Sequence, residues 1–142
     1  SLRNAAGDVY EGTFVKDEKE GSTGTLTYAD GRVFKGRFRE DSAREGKLTF
    51  PDASYYEGLM QNGKRNGFGL YVFSDASHYE GQWQDDQMHG RGRMEWTDGG
   101  WYNGDWHFGI MSGIGLEVLP DGTVRHQGQF LNGKPVHLAD RV

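Results

Sequence analysis

The chain has 142 residues, a formal net charge of −5 and no cysteine. The negative charge disfavours nonspecific binding to nucleic acid, while the lack of cysteine excludes disulfides and cysteine-ligated zinc and suits a cytoplasmic protein. Glycine supplies 23 residues and aromatic residues 13% of the chain, which together are typical of a repeated β unit.

A unit of 22 to 24 residues recurs along the chain, and each copy opens on an aromatic residue with glycine two positions later. Such regular spacing is rare by chance. The predicted repeats are 10–33, 34–55, 56–78, 79–101 and 102–125, with the end of a preceding repeat or turn at 1–9 and a partial repeat with a C-terminal cap or tail at 126–142. Because the chain does not open with Met, we interpret it as a fragment of a longer protein.

In repeat 79–101, aromatic residues and glycines alternate with charged residues. Tyr79, Gly81 and Trp83 share one parity, and Gly92 and Trp96 share one parity after a turn. A period of two indicates strands, so each repeat is predicted to form a β-hairpin. Short connections favour antiparallel pairing of consecutive strands. The sequence therefore predicts an all-β fold, an elongated single-layer antiparallel meander that is twisted and curved.

Two kinds of turn alternate between these strands. Asp-Gly pairs such as Asp98-Gly99 predict tight hairpin turns with positive φ. Ala53 and Ala76 stand in place of that glycine and predict a different turn, because alanine is strained at positive φ. The connections that contain Asn62-Gly63-Lys64 and Asp85-Asp86-Gln87 predict looser loops.

Glycine within a strand costs about 0.5 to 1 kcal/mol relative to alanine, so its recurrence needs an offsetting use. Gly81 and Gly92 would leave room for rings such as Tyr79 to lie flat along the sheet. We interpret the Gly-x-Gly pairs in the same way, because they have no third glycine opening a helix as a phosphate cradle would. These pairs begin at Gly67, Gly90 and Gly113.

The repeated unit resembles the MORN repeat (membrane occupation and recognition nexus) over residues 10–130. Tyr56-Glu57-Gly58 and Tyr79-Glu80-Gly81 reproduce the opening of that repeat, and the Asn-Gly-Lys loop, Gly-x-Gly and Asp-Gly follow in its order. The resemblance implies five full repeats and a partial sixth in a single-layer sheet with a concave aromatic groove. It also implies an interaction scaffold, in some members beside membranes or the cytoskeleton, with disputed phospholipid binding.

The sequence contains no nucleophile motif and no pair of acids confined to one pocket, so we predict no enzymatic activity and no cofactor. The five histidines are too widely spaced to predict a metal site. We expect a cytoplasmic, non-catalytic scaffold for protein interactions, associated with membrane or cytoskeleton.

Rings on a one-layer sheet cannot all be covered, so we expect an apolar groove on their face. The groove would bind a helical or extended segment of a protein partner. Its predicted contacts are Tyr56, Tyr71, Tyr79, Trp83, Trp96, Tyr102 and Trp106.

The sequence is also compatible with two other functions. The first is a phosphoinositide or membrane-surface module that binds lipid headgroups weakly through the loop bases Lys64, Arg65 and Lys134. The second is a targeting or regulatory module of a larger enzyme, whose catalytic domain would lie outside this sequence.

The face opposite the rings is charged in repeat 79–101 but carries two apolar patches elsewhere. One patch contains Tyr55, Leu59, Phe68, Leu70 and Val72, and the other contains Trp101, Ile114, Leu116 and Val118. Patches of this size mark interfaces, so we expect at least one to mediate a two-fold homodimer. The alternative is that the C-terminal segment from Val136 to Val142 folds back over one patch.

Overall fold

The computed structural model describes residues 2–4 and 6–137 as a single sheet of 13 strands. Strands follow one another in the sheet as they do in the sequence, and each neighbouring pair is antiparallel. Strands β1 to β13 are Leu2–Arg3, Val9–Val15, Glu18–Thr27, Val33–Arg39, Ser42–Thr49, Tyr55–Gln61, Lys64–Val72, His78–Gln84, Gln87–Glu95, Trp101–His107, Ile110–Val118, Val124–Leu131 and Lys134–Pro135. The predicted all-β meander is confirmed. Among the described residues, no helix has the length and apolar character needed to cross a membrane.

One face of the sheet supplies the core, and we call it the aromatic face. Its largest fully buried side chains are Tyr10, Phe34, Phe38, Tyr56, Tyr79, Tyr102 and Phe130. Leu48, Met60, Trp83, Met94 and Trp106 belong to the same buried cluster. The alternate residues point to the other side of the sheet, which we call the opposite face. Along β8, burial alternates residue by residue from Tyr79 to Gln84, which confirms the predicted strand period.

A column of glycines crosses the middle of the sheet beneath these rings. The strand registers place glycine directly beside glycine at each successive step, and we call this column the glycine ladder. Its members are Gly24, Gly36, Gly46, Gly58, Gly69, Gly81, Gly92, Gly104, Gly115 and Gly128. A Cβ atom at Gly92 would overlap the phenol ring of Tyr79, and one at Gly115 would overlap the ring of Tyr102. The ladder therefore brings the rings down against the backbone.

Each buried tyrosine that opens a repeat is fixed at its outer end by a hydrogen bond to its own strand. The Tyr79 hydroxyl donates to the Gln82 carbonyl at 2.8 Å, and the Tyr102 hydroxyl donates to the Asp105 carbonyl at 2.7 Å. Tyr56 makes the equivalent bond to Leu59 at 2.7 Å. A buried phenol thus keeps a partner for its polar atom.

In several repeats a second aromatic side chain lies edge-on between the rings of two successive repeats. The centroid of the Trp83 ring lies 5.3 Å from the centroids of both Tyr56 and Tyr79, with the ring planes near perpendicular. Its indole Nε1 donates to the Gly69 carbonyl at 3.1 Å. Trp106 repeats this arrangement between Tyr79 and Tyr102. The core is therefore a chain of contacts between neighbouring repeats.

The first glycine of each Gly-x-Gly pair has a different role from the predicted one. Gly90 has a φ of +98° and lies where the register between β8 and β9 shifts between Gly81 and Trp83. A Cβ at Gly90 would meet the side chain of Gln82 rather than a ring. The ring-packing interpretation holds for Gly92 but is wrong for Gly90, which permits the bulge.

The two kinds of turn are the reverse of those predicted. Asp85 and Asp86 both have positive φ, at 48° and 72°, so this two-residue connection is the tight turn. The connection from Trp96 to Gly100 is longer, and only Gly99 has positive φ. Asp98 stabilises this longer turn because its carboxylate accepts a hydrogen bond from the Gly100 amide at 2.9 Å.

Ala53 and Ala76 adopt the same longer turn as their glycine counterparts, with φ of 74° at both residues. The expectation of a different turn is wrong. The preceding aspartates hold the conformation: Asp75 accepts hydrogen bonds from the amide and the hydroxyl of Ser77, at 2.9 and 2.5 Å. These bonds also lower the pKa of the Asp75 carboxyl below its ordinary value.

We expect Gly92→Val to destabilise the chain by about 3 kcal/mol, because the branched side chain would displace the Tyr79 ring. Arg91→Val is the matched control, since Arg91 is exposed on the opposite face. Urea unfolding of both variants tests this assignment of the faces. Equal losses of stability would contradict it.

Ala53→Gly and Ala76→Gly should each stabilise the chain by about 1 kcal/mol, since glycine has no steric cost at positive φ. Ala29→Gly provides the control in the first repeat, because Ala29 occupies the same kind of turn without positive φ. Thermal melting should show a gain for the first two variants and none for the control. A loss at Ala53 and Ala76 would mean that their φ carries no strain.

Candidate binding face

The predicted groove residues divide into buried and accessible side chains. Tyr56, Tyr79 and Tyr102 each have 0% exposed surface, and Trp83 and Trp106 have 6%. Their prediction as surface contacts is wrong for the tyrosines, because the glycine ladder lets each ring sink and a neighbouring side chain covers it. The tyrosines form the floor of the aromatic face rather than its contact surface.

The accessible part of the aromatic face is a band of half-buried apolar residues around that floor. Two members, Tyr71 and Trp96, belong to the predicted groove. The others were missed by the sequence interpretation, and the main ones are Phe50, Phe73, Met88 and Met111. Phe50, Phe73 and Trp96 share one repeat position, two residues before the turn aspartate, and this recurrence was a usable signal.

The band contains a cavity of about 210 Å³ between the third and fourth repeats. Its apolar lining comes mainly from Tyr71, Phe73, Trp83 and Met88. The Tyr71 ring centroid lies 4.6 Å from that of Phe73 and 5.9 Å from that of Trp83. The cavity is therefore a preformed site for an apolar side chain.

Arg65 forms the polar wall of this cavity. Its guanidinium lies 4.8 Å from the Trp83 ring centroid and 5.2 Å from that of Tyr71. Its Nε lies 3.0 Å from the Asp86 carboxylate, which also accepts the Arg65 amide at 2.8 Å. This side chain is engaged within the protein, in contrast to the free loop base that the sequence suggested.

The three predicted headgroup ligands do not all come together, because Lys134 is remote from Lys64 and Arg65. Lys64 begins β7 and Lys134 begins β13, and six strand spacings of about 4.8 Å separate these strands. Acidic residues, including Asp85 and Asp86, occupy tight turns on the same edge of the sheet as Lys64. The three bases therefore form no common site for a phosphorylated headgroup.

Both predicted apolar patches lie on the opposite face, one on β6 and β7 and the other on β10 and β11. In the first patch, Tyr55 lies beside Val72 and Leu70 follows along β7, with Phe68 56% exposed. The second patch is smaller than predicted, because Val118 has only 8% of its surface exposed. Trp101 is its register partner.

The expected C-terminal cover falls mostly beyond the described residues. Val136 continues along the last hairpin, where its amide donates to the Gln129 carbonyl at 2.8 Å. Residues 138–142 lie outside the described part of the chain, so the proposed fold-back has no structural test. Within residues 2–4 and 6–137, no three His, Asp or Glu side chains form a group that could hold a metal ion.

A family model for the MORN repeat matches residues 10–31, 56–77, 79–101 and 102–124, which together exceed half of the chain. The chain belongs to the MORN-repeat family. MORN repeats are in general modules that interact with proteins or membranes. A comparison with proteins of curated function finds no match.

The second repeat, 34–55, is not among the matched segments but has the same MORN geometry. Phe34 is fully buried in the position of the tyrosines, and Phe38 lies edge-on between Tyr10 and Phe34, with centroids 5.0 and 5.4 Å away. A MORN hairpin thus accepts phenylalanine at both ring positions.

We expect the MORN core to lose stability at alkaline pH. Burial raises the pKa of Tyr102 to about 12, and the nearby Asp105 carboxylate adds to the increase. An unfolded tyrosine ionises near pH 10, so the stability contributed by this group falls as pH rises from about 10 to about 12.

Tyr102→Phe isolates this effect. The variant should lose about 1 kcal/mol near neutral pH, since the hydrogen bond to Asp105 is removed, but the difference from the unmutated chain should shrink above about pH 10. Urea unfolding across this range measures both quantities. A difference that stays constant with pH would contradict the raised pKa.

Proposed function

We propose that this MORN-repeat chain is a cytoplasmic, non-catalytic scaffold that binds an amphipathic helix of a protein partner across the aromatic face. The observation that carries this proposal is the preformed cavity lined by Tyr71, Phe73, Trp83 and Met88 within a band of half-buried apolar residues. Side chains that remain half-exposed around a rigid floor can gain burial from a partner without rearranging the core.

The aromatic face is better suited to binding a helical partner segment than an extended one. Backbone groups in the middle of the sheet are already bonded to neighbouring strands, so an extended peptide lying on this face would have no backbone partners. A helix satisfies its own backbone and presents only side chains. The docking contact would therefore consist of apolar side chains inserted between the rings.

The repeat spacing matches a helix that runs across the strands. Equivalent residues of successive hairpins, such as Phe50, Phe73 and Trp96, are two strands apart, which is about 9.6 Å. Seven residues of an α-helix rise about 10.5 Å. A helix with an apolar residue at every seventh position would thus place one side chain against each hairpin.

Phospholipid binding is the second candidate, and the structure favours it less. Arg65 is held by Asp86, and Lys64 and Lys134 are far apart. Sedimentation with phosphoinositide vesicles separates the two functions, because headgroup binding would disappear with added salt whereas apolar docking would persist. A role as the targeting module of a larger enzyme is compatible with helix docking.

The test of helix binding uses peptides selected from a displayed library of amphipathic helices. Phe73→Glu should weaken binding at least tenfold, because it places a charge in the cavity. Phe68→Glu is the matched control on the opposite face, where the same change should leave affinity within about twofold. Tryptophan emission of the unmutated chain should shift on binding.

Two results would contradict this function. One is a set of selected helices that bind the Phe73 variant as tightly as the unmutated chain. The other is a library from which only extended peptides are recovered.

A further inference from the structure

The opposite face has a symmetric layout that the helix-binding function does not use. The first patch lies on β6 and β7 and consists of Tyr55, Leu59, Phe68, Leu70 and Val72. The second patch lies on β10 and β11 and consists of Trp101, Ile114 and Leu116. The hairpin β8–β9 lies between them and is polar on this face. The two apolar patches therefore flank a polar centre at equal distances.

In the polar centre, an acidic residue on one strand lies beside a basic residue on the other, and the order is reversed between the two pairs. Glu80 on β8 lies directly beside Arg93 on β9, and His78 on β8 lies directly beside Glu95 on β9. A two-fold rotation about a line between these strands places β8 of one copy over β9 of another. Glu80 of one copy then faces Arg93 of the other, and Glu95 faces His78, so the pattern is complementary to itself.

Glu80 is the acidic residue of the polar centre that has no partner within the described part of the chain. Its register neighbour Arg93 extends away from it, with the guanidinium 4.1 Å from the Trp101 ring centroid and 3.9 Å from the Glu95 carboxylate. Glu80 is exposed, and its side chain has no hydrogen bond or ion pair within the described part of the chain. A cation from outside the chain could reach it without breaking an existing contact.

We propose that a second copy of this chain covers the opposite face, related by a two-fold axis that runs along the strands between β8 and β9. Across this axis Glu80 faces the partner's Arg93. The registers across the sheet place Val72 over the partner's Trp101 and Leu59 over the partner's Ile114, whereas Leu70 and Phe68 lie over the partner's Asn103 and Asp105. The aromatic faces point outward and stay free for the helix-binding function, on which this dimer does not depend.

The size of this face predicts a weak dimer. The contact would span six strands, β6 to β11, spaced about 4.8 Å apart, and about 14 Å along each strand. With the width of the side chains included, this is roughly 500 Å² of flat contact per protomer. Twice that area is at the low end for specific interfaces, so the dimer should form in the micromolar range. Side chains packed between two sheets at the usual separation of about 10 Å would bury both patches.

Exchanging the charges of Glu80 and Arg93 tests the position of the two-fold axis. Glu80→Arg alone and Arg93→Glu alone each place like charges across the axis, so each variant should lose at least tenfold in dimer affinity. An equimolar mixture of the two variants restores opposite charges across the axis and should recover dimers with near-original affinity. Sedimentation velocity from low to high micromolar concentration measures all three samples.

Glu11→Arg is the matched control, because Glu11 is exposed on β2 at the same position in its strand, remote from the axis. It should dimerise as the unmutated chain does. Thermal melting shows whether each variant is folded, and recovery in the mixture cannot come from folding within one chain. An unmutated chain that stays monomeric at high micromolar concentration would overturn the proposal, as would folded variants that dimerise alone or fail to recover when mixed.

Discussion

The contact between tyrosine rings and the glycine ladder is the interaction on which the rest of this structure depends. A one-layer sheet has no second sheet or helix to bury its apolar residues, so burial must occur between side chains and the strand backbone itself. The absent Cβ atoms of Gly92 and Gly115 allow the rings of Tyr79 and Tyr102 to reach 0% exposure. Each ring then serves as the surface against which the next tryptophan stands edge-on.

On the aromatic face, different residues therefore serve folding stability and partner binding. The fully buried tyrosines are needed for the fold, whereas the half-buried residues such as Phe73 and Trp96 add little to the floor and remain available to a partner. The charged Arg65 side chain is accommodated within the apolar band because it pairs with the Asp86 carboxylate and lies against the rings of Tyr71 and Trp83. Because each repeat contacts only its neighbours, stability should be approximately a sum over adjacent hairpins.

The fold could be predicted from the sequence, because the alternation around Tyr79 and the spacing of the repeats fix strand, face and order. Burial of individual rings could not be predicted in this way, since alternation gives the face of Tyr102 but not how deeply it sinks. The turns were misassigned because Asp-Gly also suits a longer connection in which only the glycine has positive φ, as at Gly99. Phe73 was missed although Trp96, at the same repeat position, was predicted as a groove contact, because the recurrence of an aromatic residue before the turn aspartate was not used.

The ring-over-glycine contact is tested most directly by a double-mutant cycle between Tyr79 and Gly92. If Gly92 is present in order to seat the Tyr79 ring, Gly92→Ala should cost about 2 kcal/mol in the unmutated chain and should be neutral or slightly stabilising in the Tyr79→Ala background. The coupling free energy from urea unfolding should therefore be about 2 kcal/mol. Additive effects, with Gly92→Ala equally costly in both backgrounds, would contradict the central role of this contact.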